Sequence, residues 1–152
     1  MRGYLEKGGL EWGAVDMREK LTKAQKKYIE EILFHKDETE ERVQQLKEDM
    51  IYSRPHRELV PGRGYISDPT ARVALKMSVE RTLLRAQFEL EAVATALNKL
   101  GKEHNQLFEL KYQGKERNWR LIAEEIGFSV QHCYRLRDQL LAQVGRELAI
   151  IE

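Results

Sequence analysis

With 152 residues, a net charge of +1 and 34% charged side chains, the chain has room for one domain or two small ones and for long solvated helices. So small a net charge excludes a protein that coats nucleic acid by bulk attraction, and a single cysteine excludes an internal disulfide. No apolar run approaches the ~20 residues of a membrane helix and no secretory h-region is present, so a cytoplasmic protein is expected.

Charge is spread unevenly. Residues 1–50 hold ten Lys/Arg against twelve Asp/Glu, residues 51–100 eight against five, and residues 101–152 eight against eight. Any contact with DNA phosphates must therefore use a local basic face and a modest number of contacts.

Residues 1–16 carry Gly3, Gly8, Gly9 and Gly13 between Tyr4, Leu5, Leu10 and Trp12 without periodicity, and read as a flexible N-terminal arm. A helical region is expected over 17–52. Its first helix starts at Thr22, where Thr22 and Gln25 make a capping box. Tyr28, Ile29, Ile32 and Leu33 form its apolar face. The pattern weakens at His35 and Lys36; Asp37 and Glu40 read as a second cap, and Val43, Leu46 and Met50 resume the stripe. Two helices are preferred to one with a polar waist. Residues 53–67 read as a linker, because Pro55, Pro61, Gly62 and Gly64 deny it regular structure.

Asp68 and Pro69 open the longest element, with Asp as N-cap and Pro at the first helical position. From there to Leu100 no Gly or Pro intervenes. Val79, Leu83, Ala86, Leu90, Val93, Leu97 and Leu100 step by four and three, a heptad seam. The helices of residues 22–50 or a second copy of the chain must cover it; both remain open. Gly101 ends it, and residues 101–152 are expected to form a separate domain.

That domain begins with a short helix over 103–112, with Leu107, Phe108 and Tyr112 inward, closed by Gln113 and Gly114. Leu121, Ile122 and Ile126 then give a short helix one apolar face, with Ala123 where two helices must cross closely. Gly127 falls where the turn wants positive φ, and Ser129 is a natural N-cap. Cys133, Leu136 and Leu140 form the buried stripe of the next helix, 130–146. The offsets are those of a helix-turn-helix, although an ordinary helical hairpin shares a Gly-containing turn. The overall expectation is an all-α fold: N-terminal helical segment, long central helix and C-terminal helix-turn-helix.

If this is a DNA reader, the first turns of the second helix enter the major groove. With Cys133 and Leu136 inward, Val130, Gln131, His132, Tyr134 and Arg135 are expected to face out. Gln131 suits adenine edges and Arg135 suits guanine. Lys115, Arg117 and Arg120 flank the first helix and would meet the backbone. For each of these residues alone, a solvated surface role competes with DNA contact.

Catalytic patterns are missing. His35, His56, His104 and His132 have no Cys or carboxylate at metal-ligand spacing. Gly62 and Gly64 are too short a pattern for a phosphate loop. Neither catalytic residue, metal nor cofactor is expected, and the chain reads as a non-enzyme.

The segment from Leu97 to Leu148, above all Leu121 to Ser129 (LIAEEIGFS), resembles region 4 of sigma-70-type factors. From about Leu21 the chain resembles the RinA/ArpU group of phage and prophage late-gene transcriptional activators. The stretch Lys27 to Leu33 (KYIEEIL) running into Glu40 to Met50 carries that resemblance. So do Ser67 to Ala71 (SDPTA) opening a long helix, and Phe108 to Tyr112 (FELKY) leading to Tyr134 to Arg137 (YRLR). His132 and Cys133 stand where sigma-type sequences usually carry Thr and an aliphatic residue. The resemblance implies a sequence-specific activator, without cofactor, acting on double-stranded DNA with host RNA polymerase in the bacterial cytoplasm, at the nucleoid. A homodimer through the 68–100 helix or the 22–50 helices is compatible with it. The alternative is a phage small terminase subunit that recognises viral DNA for packaging. A third reading is an anti-activator that binds polymerase but no DNA.

Overall fold

The computed structural model describes residues 21–52 and 68–151. The expected arm over 1–16 and linker over 53–67 lie outside the described residues. The fold is all-α: six α-helices and one π-helical segment, with no strand among the described residues. They fall into two units, one built from residues up to Lys36 together with those from Glu91 onward, the other from Asp37–Leu90.

Helix α1 (Lys23–Phe34) starts as its sequence dictates. The Thr22 hydroxyl accepts from the Gln25 N–H at 3.2 Å, and the Gln25 side chain accepts from the Thr22 N–H at 2.8 Å. These two bonds satisfy donors that a helix start leaves unpaired. Ile29 and Leu33 are fully buried and Ile32 half-buried, but Tyr28, expected inward, is exposed. Tyr28 lies past Ile32 at the edge of the apolar sector, where its ring can stay in water.

His35 alone interrupts the chain before α2 (Lys36–Tyr52), so residues 22–50 form two helices. Its N–H and its ring Nδ1 both lie near the Glu31 carbonyl oxygen, at 3.1 and 2.9 Å. The expected second cap at Asp37 and Glu40 does not form; both residues sit inside α2, with Asp37 and Glu38 in its first turn. Carboxylates there face the positive end of the helix dipole. Val43 is buried and Leu46 half-buried, whereas Met50, expected on the same stripe, is exposed.

Helix α3 (Pro69–Lys99) opens with the Asp68 carboxylate accepting from the Thr70 N–H at 2.9 Å. Its seam is covered from within the chain. In the unit Asp37–Leu90, Val43 and Leu46 pack on Leu83, Ala86 and Leu90. In the other unit, Ile29 and Leu33 share a core with Ala92, Val93 and Ala96.

That second core extends across Gly101, where the sequence placed a domain boundary. It takes in Phe108 and Tyr112 and the buried stripe Leu140, Leu141 and Val144 of α6 (Val130–Glu147). Leu148, Ile150 and Ile151 fold back on it. The reversal is a helix-stop motif: Ala149 has φ 60, its N–H bonds Arg146 O at 2.9 Å, and the Ile150 N–H bonds Gly145 O at 2.8 Å.

The Lys99 ammonium donates to the Glu147 carboxylate at 2.9 Å, tying the end of α3 to the end of α6. That hydrogen bond, helped by one from Gln143, holds the Glu147 carboxyl below its ordinary value even against the cost of burial. A depressed native pKa gives stability that is present above the unfolded value of roughly 4.3. It is lost as pH falls through the native value. Glu147→Gln is therefore expected to flatten part of the acid limb of a stability-versus-pH curve, measured by urea unfolding between mildly acidic and strongly acidic pH.

Candidate nucleic-acid interface

Helix α4 (Lys102–Leu107) runs directly into the π-helical segment Phe108–Gln113. Leu107, Phe108 and Tyr112 are buried as expected, but the second half is wound more widely than an α-helix. The wide turn closes where the Gly114 N–H bonds Glu109 O at 2.7 Å. Only glycine fits that closure, because a Cβ on Gly114 would lie 2.9 Å from the Leu110 carbonyl oxygen.

The wide segment carries Lys111 inward. Its side chain is only 8% exposed, and its ammonium lies 4.5 Å from the ring centre of Trp119, 5.5 Å from Phe34 and 5.6 Å from Tyr112. Aromatic faces can partly replace the water such a cation loses. Burial lowers the Lys111 pKa; Glu30 opposes this, while Arg137 and Arg117 add to it. The Tyr112 hydroxyl donates to Glu30 at 3.0 Å, and burial together with that carboxylate pushes its pKa far up, so it remains a donor.

Helix α5 (Trp119–Ile126) is capped by Asn118, whose side chain accepts from the Arg120 N–H at 3.0 Å. Gly127 follows at φ 87, ψ 26, with its N–H on Ala123 O at 2.8 Å. Ser129 caps α6 by accepting from the His132 N–H at 3.1 Å. Residues 127–129 thus join two helices in a three-residue turn. A Cβ on Gly127 would meet nothing within 4 Å, so the constraint there is backbone conformation alone. Gly127→Ala is expected to cost about 1–2 kcal/mol, read from the urea midpoint, with the mutant otherwise folded.

Leu107, Ile122, Ala123, Cys133 and Leu136 make the core between α4, α5 and α6. Burial pushes the Cys133 thiol up, so it serves packing and resists oxidation. Leu121, expected in the apolar face, is exposed. Ile122, Ala123 and Ile126 fill the inward sector of so short a helix, and Leu121 falls one position outside it.

The residues expected to face out divide into three groups. Gln131 and Arg135 are exposed, one turn apart on α6. Tyr134 is exposed too, but its ring packs edge-on against Trp119 at 4.8 Å, and the Arg137 guanidinium sits 5.5 Å from its centre. His132 is half-buried with its ring 4.5 Å from that of Phe128. Val130 does not face out freely; it is half-buried against the Ile122–Cys133 core, because it starts the helix over the end of α5. Arg117 and Arg120 are exposed before and on α5. Lys115 is exposed, but its ammonium donates to the Phe34 carbonyl at 2.8 Å and so closes the end of α1.

Gln131, Tyr134 and Arg135 therefore share one face of the first two turns of α6. Asp138 continues that face and reverses its sign, pairing with Arg137 at 3.0 Å and Lys26 at 3.8 Å. The face able to approach a polyanion thus ends after about two turns. The stack of Lys111, Trp119, Tyr134 and Arg137, which sets that face, has no short-range sequence signature. Only the clustering of aromatic and basic residues near 111–137 hinted at it. No group of residues able to hold a metal ion occurs among the described residues, and no helix there is long and apolar enough to cross a membrane. Compared with family models, curated proteins and solved structures, the chain matches none.

Proposed function

We propose that this chain is a sequence-specific DNA-binding transcriptional regulator, with the start of α6 as its recognition element. One observation carries the reading most directly. Gln131 and Arg135, two side chains suited to base edges, are exposed together at the start of a helix whose opposite side is locked into the core. Before and on α5, Arg117 and Arg120 offer exposed cations for phosphates. Tyr134, braced by Trp119 and Arg137, offers a rigid hydroxyl at the rim.

The chain's resemblance to RinA/ArpU activators and to sigma-70 region 4 narrows the role to activation of phage or prophage late genes with host RNA polymerase. Such a protein works without cofactor, in the bacterial cytoplasm. The small net charge favours modest intrinsic affinity aided by a partner, since few phosphates can be neutralised.

The test is selection of bound fragments by the full chain from a mixed genomic and prophage DNA pool. Enrichment upstream of one operon is expected. Recovery of fragments in proportion to their abundance, or of none, would count against the reading.

A further inference from the structure

Two cations beside the reading face converge on one atom, Asp138 Oδ1. The Arg137 guanidinium on α6 donates to it at 3.0 Å from one terminal nitrogen and at 3.3 Å from Nε. The Lys26 ammonium on α1 pairs with it at 3.8 Å. All three residues belong to the unit that holds α4, α5 and α6. Arg137 does not need Asp138 to keep its place. The ring centres of Trp119 and Tyr134 lie 5.6 and 5.5 Å from its guanidinium and brace it independently.

Asp138 stands inside the reading face. At 3.6 residues per turn it falls roughly 20° from Gln131, between Gln131 and Tyr134. Its side chain is 49% exposed. It lies ~10 Å along the helix axis from Gln131. The major groove is ~12 Å wide, so a helix reading bases at Gln131 brings this turn level with the phosphates at the rim. A polyanion therefore meets a carboxylate there, with both nearby cations turned onto it. Other charges close by do not relieve it: Glu30 accepts from the Tyr112 hydroxyl, and Lys111 is buried among rings.

We propose that Lys26 and Arg137 form a further phosphate subsite, extending the DNA interface onto α1, and that Asp138 masks it by holding a carboxylate where a phosphate would sit. The intrinsic affinity for DNA is thereby kept below what the cations of the fold could give. The proposal rests on the DNA-binding reading of α6. It is tested on a duplex of scrambled sequence, so failure of masking and failure to select a site are separate results.

The full chain is titrated onto that duplex and read by fluorescence anisotropy over a salt series. Asp138→Asn keeps the shape of the side chain and removes its charge. It is expected to bind about fivefold tighter near 0.15 M salt and to steepen the salt slope by ~0.9, as one further neutralised phosphate does. The urea midpoint should not move, because exposed ion pairs add little to stability. Asp49→Asn makes the same change of net charge on α2, in the other unit, and should leave affinity and slope at native values. Lys26→Ala is then compared in both backgrounds. It is expected to cost about fivefold in the Asp138→Asn chain and less than about twofold in the native chain. Equal costs in the two backgrounds overturn the masking, since Asp138 would then not hold Lys26. An equal gain from Asp49→Asn overturns it too, by making net charge the cause. So does an Asp138→Asn chain that binds no better than the native one, whether both bind or neither does.

Discussion

Arg135→Ala is expected to weaken binding to the selected DNA site about 5- to 150-fold, ~1–3 kcal/mol, while leaving helix content and the urea midpoint unchanged. The side chain is exposed on the second turn of α6, one turn beyond Gln131, with Leu136 beside it holding the helix to the core. A guanidinium there presents two parallel donors, the geometry of a guanine edge. Its removal leaves those acceptors unpaired in the complex. Binding to scrambled DNA should change much less, because base readout contributes little to non-specific affinity. Arg120→Ala supplies the contrast. It should weaken both DNAs by similar factors and reduce the salt slope by about one. Fluorescence anisotropy of native and mutant chains on both DNAs, over a salt series, separates these roles. Equal losses for Arg135→Ala on both DNAs would make that residue a phosphate clamp.

Leu140→Ala is expected to cost about 2–5 kcal/mol. Leu140 is fully buried where α1, the end of α3, the π-helical segment and α6 share one core. Elements from several parts of the chain line the site, so no single one can move in to fill the void. For a domain stable by roughly 5–15 kcal/mol, that loss lowers the urea midpoint by a large fraction. Leu121→Ala is the matched control: the same deletion at an exposed position should stay within about 0.5 kcal/mol. A Leu140→Ala midpoint close to that of the control would mean the core does not close around α6.

What local chemistry dictates was legible in the sequence. Thr22 with Gln25, Asp68 with Pro69, Gly127 and Ser129 each mark a helix end through bonds spanning only a few residues, and each marks one in the fold. Periodicity placed Ile29, Leu33, Leu83, Ala86, Val93, Ile122, Cys133 and Leu136 inward correctly. It failed at sector edges, at Tyr28 and Leu121, where a residue one step off the buried face gains as much from water as from packing, and at Met50, which keeps the angular stripe of Val43 and Leu46 but stands two residues from the end of α2. It failed too at Asp37 and Glu40, which resemble a cap in sequence but follow a break already made at His35.

The candidate site was legible only in outline. Exposure of Gln131, Tyr134 and Arg135 follows from helical spacing once Cys133 and Leu136 are inward. The commitments of Lys115 to Phe34 and of Val130 to the core depend on what lies across from them, whereas His132 meets Phe128 four residues before it. Lys111 is the clearest case. A lysine in a charged-looking stretch reads as surface, yet Phe34 and Trp119, distant in sequence, bring rings around it. Nothing within a helical turn of Lys111 could have announced that.

Guanine-N7 methylation interference on the enriched fragment probes the reading face itself. The prediction is a short cluster of guanines whose methylation in the major groove blocks binding, with at least one losing its effect in Arg135→Ala. Interference confined to adenine N3 in the minor groove, or an unchanged guanine pattern in that mutant, would mean the first turns of α6 do not lie in the groove.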